Sequence, residues 1–189
     1  MKNIVIFGAP GSGKGTQSDK IIAEFGVEHI STGDVLRAEI KAGTELGKTA
    51  SAYINEGKLV PDSLIVDMLA STLDSKGKDI KGVIFDGFPR TIAQAEALDA
   101  MLKERGQEVN VVIGLEVDDA ELIKRIIARG QTSGRADDNE ETAKKRLDTY
   151  YSQTLPLKDF YINQGKSAKI NGVGSIDDIY AEISAAIKK

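Results

Sequence analysis

Two kinds of apolar spacing alternate along the chain. Short runs rich in Val and Ile cover residues 3–7, 28–31, 82–85, 109–117 and 167–170, and these read as strands. Between them apolar residues recur at helical spacing over residues 14–25, 32–41, 45–56, 62–75, 91–105, 119–128, 139–163 and 176–188. Gly26, Gly43, Gly57 and Gly106 fall just past predicted helix ends, where a left-handed C-cap favours a residue without a Cβ. Strand alternating with helix predicts an α/β fold, a parallel sheet covered by helices on both faces.

Two stretches break the alternation. Two predicted helices follow one another within residues 31–60, which suggests a small helical insertion. The run Gly130-Gln131-Thr132-Ser133-Gly134 is polar, glycine-flanked and too short to be a domain, and it reads as a mobile surface loop.

With 189 residues, 41% of them hydrophobic and 29% charged, the chain fits one core with small insertions. The absence of Cys excludes a disulfide framework and a thiolate metal site. A net charge of −4 lacks the basic balance of a nucleic-acid binder. The apolar run behind Met1-Lys2-Asn3 is too short for a signal peptide, and no stretch approaches the roughly 18 apolar residues of a membrane helix. The expectation is a cytoplasmic protein with neither nucleic acid nor membrane as partner. Arg is scarce: of 25 basic residues, only Arg37, Arg90, Arg105, Arg125, Arg129, Arg135 and Arg146 are Arg.

The densest chemical signal is Gly8-Ala9-Pro10-Gly11-Ser12-Gly13-Lys14-Gly15-Thr16, which follows the first strand and opens the first helix. Its skeleton is that of a phosphate loop, in which glycines let successive backbone N–H groups point at phosphate oxygens. The helix N-terminus adds partial positive charge, and Lys14 is placed to reach the β- and γ-phosphates. The residue after Lys14 is Gly15 rather than Ser or Thr, with Thr16 one place on, so the spacing leaves open which hydroxyl meets a metal ion. The loop predicts phosphate binding and is silent about the acceptor.

The loop in this version resembles that of adenylate kinases, and three further segments in the same order share the resemblance. They are Ser31-Thr32-Gly33-Asp34-Val35-Leu36-Arg37, Asp86-Gly87-Phe88-Pro89-Arg90, and Gly134-Arg135-Ala136-Asp137-Asp138 leading to Arg146. The resemblance covers essentially the whole chain. It implies a three-layer P-loop fold with a five-stranded parallel sheet and a core at residues 1–30, 61–129 and 137–189. It further implies a small helical domain for the nucleoside monophosphate at 31–60 and a short lid at 130–136. Long-lid members carry a larger insertion, sometimes with a cysteine-bound zinc, and this chain has neither. The implied activity is Mg2+-dependent transfer, ATP + AMP ⇌ 2 ADP, with ATP, AMP and ADP as small-molecule partners and a monomer as the working form.

The residues also suit that chemistry on their own terms. Transfer between two phosphate chains passes through a loose transition state, so catalysis is positioning plus electrostatics. The attacking AMP oxygen is already an anion and needs no base, which leaves His29, the one histidine, to the edge of the second strand. What is required is rigid cations that fork onto phosphates, work for which Arg is better suited than Lys. Arg125 and Arg129 are four apart and share a helix face, Arg135 follows the polar loop, and Arg146 lies on the next helix. Arg105, at a helix end, is left to a capping or solvated role. With the resemblance in view, Lys14, Arg90, Arg125, Arg129, Arg135 and Arg146 are the candidate catalytic cations, and Arg37 belongs with Arg90 to the segments that resemble the AMP site.

By resemblance, Gly11, Ser12, Gly13, Lys14, Gly15 and Thr16 hold the ATP phosphates together with Arg129, and Gly174 meets the adenine through its carbonyl. Thr32, Arg37, Gly87, Phe88, Pro89, Arg90 and Gln94 form the AMP site, with the backbone of Lys58, Leu59 and Val60 alongside. Arg135 and Arg146 clamp the transferring phosphate. Asp86, at the end of an apolar strand, and Thr16 are the candidate Mg2+ ligands. Asp137 and Asp138 are read either as orienting Arg135 or as capping the following helix. A UMP/CMP kinase is the nearest rival, separated by Thr32 and Gln94. A P-loop nucleotide switch would carry an Asn-Lys-x-Asp guanine motif, which is absent from the sequence.

Overall fold

The computed structural model describes residues 2–77 and 79–189; Met1, at the head of the predicted N-terminal run, and Lys78 in the predicted core lie outside the described residues. In chain order the elements are β1 (Lys2–Gly8), α1 (Lys14–Phe25), β2 (Glu28–Ser31), α2 (Thr32–Ala42), α3 (Glu45–Asn55), α4 (Asp62–Ser75), β3 (Gly82–Asp86) and α5 (Ile92–Glu104). There follow β4 (Val109–Glu116), α6 (Asp119–Ser133), α7 (Glu140–Thr149), a π-helical turn at Tyr150–Thr154, α8 (Leu157–Asn163), β5 (Ser167–Asn171) and α9 (Ile176–Lys188). Side-chain caps start most of these helices where the sequence places a short polar residue. Ser31, Thr44, Thr91, Asp118, Asn139 and Ser175 each accept from the backbone N–H three positions on.

The five strands form one parallel sheet in the order β2-β3-β1-β4-β5. Because helices cover both faces, successive residues of one strand serve different cores. Ile4 and Ile6 pack with Ile21, Ile179, Ile183 and Ile187 on the face of α1 and α9. Val5 and Phe7 pack with Leu69, Leu98, Leu102 and Tyr161 on the face of α4, α5 and α8.

This strand order fixes where a ligand can enter. β1 continues through α1 to β2, whereas its neighbour β3 continues through α5 to β4, so the two chains leave the sheet in opposite directions over opposite faces. A crevice opens where neighbouring strands part in this way, beyond their carboxyl ends. Register sets the crevice walls: Ile6 of β1 and Ser31 of β2 both pair with Asp86, the last residue of β3.

Two expectations are corrected. The helix predicted to end at Ala128 runs on to Ser133, so residues 130–133 are helical rather than a surface loop. Tertiary contacts hold this turn: a Cβ on Gly130 would lie 2.2 Å from the Asp138 carbonyl oxygen, and Ser133 Oγ donates to Asp138 Oδ2 at 3.0 Å. Gly134, at φ 65°, then ends the helix. The single helix predicted over 139–163 is interrupted. Pro156 has no N–H to give Ser152, and the chain passes through the π turn, closed by Leu155 N–H on Tyr150 O at 2.8 Å, before α8 begins.

Candidate active site

The phosphate loop spans the gap between β1 and α1. Gly11 and Gly13 adopt φ of 84° and 96°, a backbone that side chains with a Cβ avoid. Gly11 is also pressed from outside, since a Cβ there would sit 2.9 Å from Leu122 O and 3.0 Å from Ile126 of α6. That contact seats α6 against the loop and carries Arg129, one turn further along the helix, with it. Lys14 Nζ donates to the carbonyls of Gly8 (2.9 Å) and Ala9 (3.2 Å), so the ammonium sits inside the loop's own curl.

Lys14 reports on what surrounds it. Burial lowers its pKa to about 8, Asp86 opposes the shift, and the guanidiniums of Arg90, Arg146 and Arg129 each push further down. Three arginines from three segments thus bear on one ammonium at the crevice. Arg90 is held by its Nε donating to Gly87 O (2.7 Å), and burial followed by the field of Arg146 brings its pKa down to about 10. Arg129 grips Asp138 bidentately, at 2.7 and 2.6 Å, and the Asp138 side chain is fully buried. Burial raises the Asp138 pKa, but the hydrogen bonds and charge of Arg129 overcome this and leave it lowered. Arg146 bridges Asp137 (2.9 Å) and Asp138 (3.2 Å). The two aspartates therefore position Arg129 and Arg146. Neither caps α7, whose cap is Asn139, and the ion pair of Arg135 is with Asp34 of α2 at 3.9 Å.

A second cleft adjoins the loop, lined by Thr32, Leu36, Arg37, Leu59, Val60, Gly87, Pro89, Arg90 and Gln94 as well as Lys14 and Arg146. Arg37 hydrogen-bonds Asp34. Thr32 Oγ1 donates to Gly87 O at 2.9 Å, so that carbonyl also fixes Arg90. Lys58 lines the cleft and pairs its ammonium with Glu56 at 2.6 Å. Two sequence candidates lie elsewhere. The Phe88 side chain is 1% exposed inside the core and cannot touch a ligand in the cleft. Arg125 donates to Glu121 Oε1 (2.8 Å) and, through both terminal nitrogens, to Gly172 O (3.2 Å), tying α6 to the loop before α9.

That loop contains Gly174 and packs on the phosphate loop: a Cβ on Gly172 would lie 3.5 Å from Ser12 O. Val173 and Ile176, flanking Gly174, expose about half their surface (48% and 51%), an apolar edge that sequence reading passed over. Its signal was present, since both are large apolar residues beside a glycine pair at a predicted helix start. The partners of Arg129 and Arg146 were visible as the pair Asp137-Asp138, but spacing alone does not say which cations they meet.

Among the described residues no group of three or more His, Asp or Glu forms a dedicated metal cage. Mg2+ does not need one, because it is commonly held by one or two carboxylates with substrate phosphates and water completing the shell. Asp86, 9% exposed at the crevice and facing Lys14, together with the exposed hydroxyl-bearing Thr16, fits a metal that arrives with its nucleotide. His29 Nε2 stands 3.5 Å from Asp86 Oδ2, and that contact raises the imidazole pKa. The histidine thus lies on the edge strand, beside the carboxylate.

The depressed Lys14 pKa has a measurable consequence. In the free protein Lys14 is cationic below about pH 8 and loses its charge above it, so the affinity for ATP should fall as pH rises from 8 to 10. Calorimetric titration across that range tests this. Lys14→Arg, which keeps its charge, should remove the slope.

So many cations held at one sheet crevice, with a second cleft opening beside the phosphate loop, define the class: a P-loop nucleotide-binding protein. The family model described as adenylate kinase matches residues 6–166. Over 189 residues the chain is 68% identical to the adenylate kinase of Phocaeicola vulgatus and 66% identical to that of Bacteroides thetaiotaomicron, covering all of both chains in each case. To the adenylate kinase of Porphyromonas gingivalis it is 53% identical over 189 residues, all of this chain and 97% of that one. The chain belongs to the adenylate kinase family.

Proposed function

We propose that the protein catalyses ATP + AMP ⇌ 2 ADP by direct in-line transfer at this crevice. The observation that carries the reading is the convergence of Arg90, Arg129 and Arg146 on Lys14, beside a cleft that holds Thr32 and Gln94. ATP lies with its phosphates against the loop N–H groups of residues 11–16, with Lys14 and Arg129 as counter-charges and its adenine at the edge formed by Val173, Gly174 and Ile176. AMP lies in the second cleft, its phosphate on Arg37 and Arg90. Its base sits between Thr32, Gln94 and the backbone of Lys58, Leu59 and Val60. Arg135 and Arg146 stabilise the charge on the phosphoryl group in flight.

No proton has to be removed from the attacking phosphate oxygen, so the residues act by holding and shielding. Asp86 and Thr16, together with the nucleotide phosphates, would hold Mg2+, which when bound would neutralise developing negative charge. Arg125 is a positioning residue for the loop at Gly172. We further propose residues 31–60 and 130–136 as the elements that close over AMP and ATP, the latter moving as an extension of α6. Closure would exclude water, which competes with AMP as acceptor. The working form is a cytoplasmic monomer.

Two side chains test the map. Arg37→Ala should raise the KM for AMP by about tenfold and leave that for ATP little changed, and Arg129→Ala should do the reverse. Steady-state kinetics with one nucleotide varied at a time decides. Equal effects of both variants on both substrates would mean that the two clefts are wrongly assigned.

A further inference from the structure

The amide of Gln94 is already held before any nucleotide arrives. Gln94 lies in the first turn of α5, is 2% exposed, and lines the second cleft. The backbone N–H of Arg90 donates to its Oε1 at 2.7 Å. Its Nε2 donates to Oδ1 of Asp62, the first residue of α4, also at 2.7 Å. The two contacts have opposite polarity, so together they fix which way round the amide lies. Rotated by half a turn, it would set oxygen against a carboxylate and NH2 against a backbone N–H, two repulsions in a buried site.

An amide offers two N–H donors and two acceptor lone pairs. With one of each spent on Asp62 and Arg90, a single donor and a single acceptor remain. A 6-aminopurine presents the matching edge, a ring-nitrogen acceptor beside an amino donor. A 6-oxopurine presents the inverse, an oxygen acceptor beside a ring N–H donor, and pairs only with the rotated amide.

We propose that Asp62 is a specificity-determining positioning residue: by locking the Gln94 amide it makes the acceptor site reject 6-oxopurine nucleotides. Asp62 is itself exposed, is not part of the cleft lining, and acts through Gln94 rather than by touching the base. The proposal rests on the reading of this cleft as the AMP site. A carboxylate at a helix N-terminus also serves the helix dipole, so the test must separate the two roles.

Asp62→Asn does so. An asparagine side chain can turn either its oxygen or its NH2 toward Gln94, so the rotated amide then meets one repulsion, from the Arg90 N–H, in place of two. With ATP saturating, kcat/KM is compared for AMP and for inosine monophosphate. The Asn variant should keep its KM for AMP within about twofold of the wild type and raise kcat/KM for inosine monophosphate about tenfold. Asp62→Ala, which removes the lock without replacing it, should raise the KM for AMP and also erode the preference. Both variants should leave the KM for ATP unchanged. An Asn variant with the wild-type ratio of AMP to inosine monophosphate use would overturn the proposal. So would equal losses toward ATP and AMP in both variants, the signature of a merely structural role. A wild type inactive on AMP would refute the cleft assignment itself, and that is seen before any variant is made.

Discussion

Lys14→Ala is expected to lower turnover by about 10²-fold or more while the protein stays folded, as on removal of a preorganised charge at a site of developing negative charge. The lysine makes no contact that the fold needs. Its two hydrogen bonds go to the carbonyls of Gly8 and Ala9 within its own loop, and burial costs it charge, as its pKa of about 8 records. Removing it should leave the melting temperature unchanged or slightly raised, because a cation held among Arg90, Arg129 and Arg146 disappears. With bound nucleotide the balance reverses, since phosphates replace the carbonyls as partners and the repulsion among the cations becomes attraction to a shared polyanion. Coupled turnover assays and thermal melts on the same preparation check both halves. A folded variant that turns over near the wild-type rate would remove the phosphate loop from the mechanism.

Arg146→Ala should be as damaging to the reaction and, unlike the lysine change, should also weaken the fold. A guanidinium that stabilises a phosphoryl group in flight contributes about 10³-fold or more to kcat in related chemistry. The structural part follows from its partners. Asp137 is left without the cation at 2.9 Å, while Asp138 keeps its bidentate pair with Arg129. An unpaired, largely buried carboxylate costs about 1–3 kcal/mol, so the melting temperature should drop by several degrees, about 2–4 °C per kcal/mol at this chain length. Arg146→Lys separates the two roles, because a point charge can satisfy Asp137 but cannot fork between carboxylate and phosphate. It should recover most of the melting temperature and little of the rate. Recovery of both would reduce Arg146 to a structural ion pair.

The parts of this account that were legible in the sequence are those set by local physics. Strands buried on both faces leave continuous apolar runs, and β3, buried along its whole length, covers the predicted residues 82–85. The glycines 26, 43 and 106 mark helix ends through their own backbone chemistry. The phosphate loop is legible for the same reason. What was not legible depends on residues brought together by the fold. Residues 130–133 look like a loop by composition, and only their contacts with Asp138 make them helical. Phe88 and Arg90 belong to one motif, yet one is core and the other faces the crevice. Arg125 and Arg129 share a helix face, yet the fold gives them different partners, the Gly172 carbonyl and the Asp138 carboxylate. The Asp62 contact to Gln94 spans 32 residues and leaves no trace in local spacing.

The most direct test of the central claim follows the transferred phosphate. The protein is incubated with Mg2+ and ATP labelled at the γ-phosphate, together with AMP, CMP or UMP in turn, and every labelled product is separated. The account predicts that the label passes to AMP, giving two ADP for each ATP consumed, with little inorganic phosphate and much slower transfer to CMP and UMP. Transfer to CMP or UMP as readily as to AMP, or release of the label chiefly as inorganic phosphate, would contradict it.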